Sequence, residues 1–252
     1  MTSTIILYDI PSDIPGSAWS KNTWKVRFAL NYKGLPYKTE WVAFPDIEAH
    51  CKKLGIPPTG KTAWGGEDHY TLPAIYDPTT NKYLAESFII AKYLEETYPD
   101  TPRIFPNGTI GLQEAFTDAF DARTAILFRF MAHYGLSHLD SRTQEYLRRT
   151  REKAIGKKLE ELMPTGEAAV QDWRKVEEGL QKVEEWYAQT DEKGPFILGN
   201  VVSWGDFVVA GHLIWAKLVS GEGSKEWKAI ASWNNGRWAK LLDSLDKYSA
   251  RN

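Results

Sequence analysis

Cysteine is almost missing from this chain: Cys51 is the only one among 252 residues. A single thiol closes no internal disulfide and builds no thiolate metal cluster. A basic excess is missing too. The 31 Lys+Arg face 33 Asp+Glu, for a formal charge of −2, which gives no electrostatic footprint for nucleic acid or an anionic membrane surface. Nothing in the sequence approaches the ~20 consecutive apolar residues that a membrane-spanning helix needs. The stretch from Met1 to Asp9 carries no cationic region and only a short apolar run, so no conventional secretory signal is expected and the expected compartment is the cytosol. His133 and His138 are five apart and share no helical face, and the other histidines are scattered, so no metal site is expected. The Gly-x-Ser-x-Gly elbow of many serine hydrolases is absent as well.

Aromatic residues, in contrast, are abundant: 11 Trp, 12 Tyr and 10 Phe, 13% of the chain. Such side chains fill a helical core or offer flat faces to flat ligands. A hydrophobic share of 42% and a charged share of 25% belong to an ordinary folded protein, long enough for one large domain or two small ones.

The first hundred residues alternate strand and helix signals. Thr4 to Ile10 reads as a buried strand, and Ser20 to Tyr32 as a helix closed by Gly34. Tyr37 to Ala43 is a short strand, and Asp46 to Leu54 a short helix stopped by Gly55 and Pro57-Pro58. Leu72–Asp77 and Lys82–Ala85 flank a turn and read as an antiparallel hairpin, and Glu86 to Tyr98 as a helix. These signals predict a mixed α/β domain over residues 1–98, ordered βαβ–α–ββα. Prolines at 99, 102 and 106 mark a linker over 99–108. Helical patterns then fill 109–137, 141–163, 167–189, 203–220 and 224–248, an all-helical domain over 109–252.

One tempting motif fails. Gly55-Ile-Pro-Pro-Thr-Gly-Lys-Thr62 has the letters of a phosphate-binding P-loop, but Pro57 and Pro58 lack the N–H groups such a loop aims at phosphate. The helical pattern before it and Ala63-Trp64-Gly-Gly after it also miss the strand–loop–helix setting.

Four features carry more. Pro73 opens a strand, as an ordinary edge proline or in a cis bond that frees the Leu72 backbone to pair with an extended peptide. Glu86-Ser87 begins a helix, either as a cap or as a site in which Ser87 takes a carboxylate and Glu86 an ammonium group. Ser20 precedes the first long helix, as a plain N-cap or as a hydroxyl that stabilises a ligand's thiolate. Ser203-Trp-Gly-Asp206 reads as a capping box, with Val202 and Phe207 as its hydrophobic staple.

In this order and at this spacing, the chain resembles the cytosolic glutathione transferases over nearly its whole length. Trp19-Ser20-Lys21-Asn22-Thr23-Trp24 most resembles the fungal-specific class A enzymes of wood-decaying basidiomycetes, which are themselves similar to bacterial β-etherases. The resemblance implies a thioredoxin-like N-terminal domain, a helical C-terminal domain, a homodimer and glutathione as co-substrate. It implies Ser20 and Asn22 as catalytic residues, where omega-like relatives carry cysteine. Leu72, Pro73, Glu86, Ser87 and Lys61 would bind glutathione. Two positions depart from the family pattern: Lys21 stands where proline is usual, and Thr62 to Thr71 is an insertion. Tyr8 is the competing thiolate donor, as in tyrosine-type relatives. The acceptor site is expected from the loop Ile14–Trp19 and from Phe116, Phe120, Arg123 and Leu127, which share a helical face, with Tyr134 and Trp215 as further candidates. Conjugation of aromatic electrophiles and reduction of hydroperoxides are the implied reactions, with β-etherase chemistry as a side activity. The alternative is a ligandin that sequesters aromatic and polyphenolic molecules.

Overall fold

The computed structural model describes residues 3–62, 65–190 and 194–252. Ala63 and Trp64, within the stretch read as an insertion, lie outside the described residues. A four-stranded sheet of order β2-β1-β5-β6 is built from β1 (Ile5–Asp9), β2 (Tyr37–Trp41), β5 (Ala74–Asp77) and β6 (Lys82–Ala85). β1 and β2 run parallel, with Tyr8 opposite Glu40; the other two pairings are antiparallel, with Tyr8 also opposite Ala74. Helices α1 (Lys21–Lys33), α2 (Ile47–Leu54) and α3 (Ser87–Thr97) complete this part. The letters of the phosphate loop fall on the glycine cap of α2, an irregular segment with both prolines, and β3 (Gly60–Lys61). β3 pairs with β4 (Asp68–His69) in a small hairpin that the sequence pattern did not announce.

The helical part holds α4 (Ile110–Thr124), α5 (Leu127–Ser137), α6 (Ser141–Leu147), α7 (Lys153–Ile155), α8 (Gly166–Tyr187), α9 (Trp204–Ser220) and α10 (Lys225–Leu245). Three expected helices are interrupted. The pattern over 109–137 breaks after Thr124, where the N–H groups of Phe128 and Arg129 bond three residues back and tighten the turn. The pattern over 141–163 dissolves into α6, a π-helical turn at Arg148–Glu152, the single turn α7 ended by left-handed Gly156, and a 3-10 turn at Leu159–Leu162. Inside α10, Asn234, Asn235 and Gly236 all have positive φ, a conformation that Asn and Gly adopt most readily. Among the described residues no helix is long and apolar enough to cross a membrane.

α9 runs through the middle of the molecule and is buried along most of its length. Its capping box is present. The Ser203 N–H donates to Asp206 Oδ2 at 2.9 Å, and the same carboxylate accepts from the Ile197 N–H at 2.9 Å and the Tyr187 hydroxyl at 3.0 Å. Val202 and Phe207 are both buried beside it. Gly211 faces α1 so closely that a Cβ there would lie 2.6 Å from the Lys21 carbonyl oxygen. That glycine sets how near the helical part comes to the start of α1.

Asp206→Ala strips several buried donors of their acceptor and is expected to lower the unfolding free energy by about 2–4 kcal/mol. Denaturant titration against wild type checks this, and a loss below a few tenths of a kcal/mol would contradict the hub role. Gly211→Val should cost a further ~1–3 kcal/mol through overpacking, with the midpoint of the same titration as readout.

Candidate functional site

Ser20 is the N-cap of α1, with extended backbone (φ −65°, ψ 126°), yet its hydroxyl makes no capping bond. A cap residue normally spends that oxygen on the helix's own N–H groups. Here the hydroxyl stays available at the positive end of α1. The Leu72–Pro73 bond is cis. The N–H and C=O of Leu72 take no part in the backbone hydrogen bonding of the described residues, although Leu72 is nearly buried. Such open backbone groups need a partner from outside the chain.

Two cavities meet at Leu72, and Ser20 lines the larger of them. The larger, about 540 Å³, has Trp19, Ser20 and Asn22 on one side, with Phe128, Leu136 and Trp215 facing them. The smaller, about 410 Å³, is bounded by Leu72, Pro73, Glu86 and Ser87 and by the α4 acids Glu114 and Asp118. Asn22, Thr71 and Leu72 border both. A chamber of mixed lining and a mainly apolar one therefore share a wall at Asn22, Thr71 and Leu72, and the open Ser20 hydroxyl lies in the apolar one.

The start of α3 departs from the simple anion site. Glu86 has φ 79°, unusual for a residue with a Cβ, and its carboxylate accepts from the Phe88 and Ile89 N–H groups at 3.0 and 3.1 Å. Glu86 thus caps the helix itself, and the Ser87 hydroxyl donates to it at 3.3 Å. Two of the N–H groups expected to meet a ligand carboxylate are already occupied.

Several expected residues lie elsewhere. Lys61 is exposed on β3 and pairs with Asp68 Oδ1 at 2.7 Å, outside the lining of both cavities. The hairpin borders the large cavity instead through Asp68, His69 and Tyr70. The α4 face turns inward to the helical core: Phe120 is 1% exposed against His212, and Phe116 packs on Trp186. Arg123 is exposed, with its carbonyl oxygen pressed against Gly179 of α8. Leu127 is buried in the core as well. The wall they were expected to form comes from α5 through Phe128, Ala132 and Leu136, from Tyr146 on α6, and from Trp215 on α9. Trp19 does border the cavity, lodged between Phe44 and Gly135.

Tyr8 is 2% exposed in the sheet, its ring edge-on to His50. Burial and the nearby Glu40 push its hydroxyl well above the ordinary tyrosine value, and it borders neither cavity. Cys51 is buried, and burial pushes its thiol up to about 11, which suits packing and not nucleophilic chemistry.

Beneath the site sits a charged cluster that sequence reasoning missed. Lys21 Nζ donates to His212 Nε2 at 2.9 Å, and the His212 ring donates from Nδ1 to the Val208 carbonyl at 3.0 Å. Asp121 Oδ1 lies 3.2 Å from the same Nε2. Burial lowers Lys21 to about 8, and burial with the neighbouring Lys21 charge lowers His212 to about 4. The departure at position 21 is thus absorbed: the side chain turns from the loop into the seam between α1 and α9.

The family comparisons agree with this geometry. The model for the glutathione S-transferase N-terminal domain matches residues 19–97, and that for the C-terminal domain matches 111–248. The chain belongs to the glutathione transferase family. The glutathione S-transferase-like protein ustS of Aspergillus flavus is 32% identical over 95% of this chain and 88% of its own length. Glutathione transferase GSTFuA3 of Phanerochaete chrysosporium shares 43% identity over 99% of both chains, with a TM-score of 0.92. CsGST63524 of Ceriporiopsis subvermispora, solved in complex with glutathione, shares 40% identity over 98% of both chains, with a TM-score of 0.93.

His212 supplies a pH test of this glutathione transferase's seam. Its folded-state pKa is about 4 against an ordinary 6.5, so between these values the unfolded chain binds more protons and stability rises with pH. The contribution is full above about 6.5 and is lost as pH falls towards 4. Burial pushes Asp206 up to about 6, which acts in the opposite sense over an overlapping window. The readout is therefore the difference between wild type and His212→Gln, whose stability curves should converge as the pH drops; parallel curves would contradict the assignment.

Proposed function

We propose that this protein conjugates glutathione to hydrophobic aromatic electrophiles, with Ser20 holding the sulfur as a thiolate. The observation that carries this reading is the open Ser20 hydroxyl in the larger, mainly apolar cavity, two residues from Asn22, which borders that cavity and the smaller one lined by Leu72, Glu86 and Ser87. Glutathione lies in the smaller cavity. Its cysteinyl backbone pairs with the open N–H and C=O of Leu72, and its γ-glutamyl end reaches Glu86 and Ser87. The hydroxyl and the positive end of α1 then favour the ionised thiol. Asn22, exposed on the first turn of α1 and bordering both cavities, is a second donor near the sulfur.

The thiolate attacks an electrophilic carbon held in the larger cavity, forming a carbon–sulfur bond as the leaving group departs with its electron pair. The complex of glutathione with the similar Ceriporiopsis protein supports the co-substrate. Because position 20 is serine and Cys51 is buried, no protein thiol is available for a mixed disulfide with glutathione. Conjugation and hydroperoxide reduction are accordingly preferred over thiol transfer.

Ser20→Ala should lower kcat with an activated aryl halide by about 10²-fold, the usual scale for loss of one donor to a developing anion. It should also raise the pKa of bound glutathione, read from thiolate absorbance. Tyr8→Phe should leave both unchanged, and the reverse pattern would exchange the two roles.

The apolar lining of the larger cavity favours a second reading, a ligandin for aromatic molecules. Tight polyphenol binding in fluorescence titration without glutathione turnover would select it.

A further inference from the structure

Lys25 lies one turn after Lys21 on α1, and it is 4% exposed. It borders the smaller cavity together with Leu72, Glu86 and Ser87. Its stem packs against α9 at Gly211. Among the described residues its ammonium has no hydrogen bond, and no carboxylate lies within ion-pair distance of it. Buried ammonium groups are costly unless paired. The charged groups around it are Lys21 on its own helix, Asp121 on α4, and Glu86 at the start of α3, all acting through space; His212 faces the same cluster from α9. Asp121 is itself engaged with His212.

Across the cavity, the anion site expected at the start of α3 is partly closed, because Glu86 takes two of its N–H groups. A carboxylate entering there meets Ser87 with few free donors. Four carboxylates, Glu86, Glu114, Asp118 and Asp121, border the chamber with Lys25. Yet Glu86 caps its own helix and Asp121 is held by His212, and none forms an ion pair with the Lys25 ammonium, which is left to meet an anionic group of the substrate.

We infer that Lys25 is the counter-ion for the α-carboxylate of the γ-glutamyl residue of glutathione, which it meets from the α1 side while Ser87 meets it from α3. The α4 acids Glu114 and Asp118, which border the same chamber, then face the adjoining ammonium group. The inference rests on the glutathione reading above and adds to it the residue that recognises one end of the peptide.

The test uses S-methylglutathione, which has no ionisable thiol, and two S-methylated analogues of it. A 4-aminobutyryl analogue lacks the α-carboxylate; a glutaryl analogue keeps that carboxylate and lacks the amine. Calorimetry on the whole protein should show Lys25→Met weakening S-methylglutathione by about 10–100-fold, the scale of one charge-assisted hydrogen bond. The same substitution should weaken the glutaryl analogue similarly and leave the 4-aminobutyryl analogue nearly unchanged. Equal losses for all three ligands would overturn the inference, since a merely structural role does not distinguish them. Lys25→Arg, which keeps the positive charge, should retain most of the affinity for both carboxylate-bearing ligands and serves where Lys25→Met does not fold; a loss for all three ligands in Lys25→Arg as well would overturn the inference. If S-methylglutathione fails to bind wild type at all, the broader glutathione reading falls; if it binds and Lys25→Met is silent, only the Lys25 inference does.

Discussion

The close approach of α9 to α1 is the constraint on which the cleft depends. Gly211 has no side chain, and the Lys21 carbonyl occupies the space one would need. Around that contact the stacked rings of Phe28 and Phe207, 5.9 Å apart, fill the seam. Aromatic stacking is short-ranged and protein interiors are close-packed, so the separation of the two parts is set narrowly. Both cavities open at the edges of this seam, and the spacing of their walls follows from it. The Ser203–Asp206 box acts at the same level, because it fixes where α9 starts and hence which residue meets α1.

Polar groups in the seam divide into those the chain satisfies by itself and those it leaves open. The buried pair Arg27–Asp9 meets at 2.8 Å, although Arg27 Nε itself has no partner. Glu95 is closed, accepting from Lys33, Arg103 and the Ile104 N–H. Tyr93 and Tyr98 both donate to Asp77 at 2.6 Å. The Ser20 hydroxyl, the Leu72 backbone and the Lys25 ammonium are left open, and all three lie along the two cavities. Each incurs part of a desolvation cost that a partner from within the chain would have offset. Other buried atoms are open as well, Arg27 Nε and His50 Nε2 among them, but neither of those residues borders either cavity, whereas these three do.

Motifs whose chemistry is local were legible in the sequence. A proline at the head of a strand, a serine before a helix and a Ser-x-x-Asp box each fix their own backbone within a few residues, and the cis bond and the capping box are found where they were expected. The order of strands and helices was legible for the same reason. The direction in which α4 turns its aromatic face was not. Phe116, Phe120 and Arg123 share a helical stripe, but a stripe reveals amphipathicity and not which apolar neighbour it meets. Here α8 and α9 claim it. Lys25 was missed by similar logic, since a lysine amid Trp24 and Phe28 reads as solvated until its burial is seen. Its i, i+4 relation to Lys21 on the buried side of α1 was the available signal.

The acceptor wall illustrates a further limit. It is built where the helical pattern over 141–163 gives way to a π turn, a single α turn and a 3-10 turn. Periodicity reports which residues are apolar, but each change of helix type rotates the following side chains relative to the preceding ones. Over this stretch, therefore, Tyr146, Leu147, Thr150 and Leu159 come to border one chamber although no single helical face contains them. The smaller cavity is made from groups fixed by local backbone chemistry, whereas much of the larger one is made from irregular turns, which tolerate substitution and insertion. On the proposed reading, change in acceptor range enters through residues 141–163, while α1, Leu72 and the start of α3 hold the peptide.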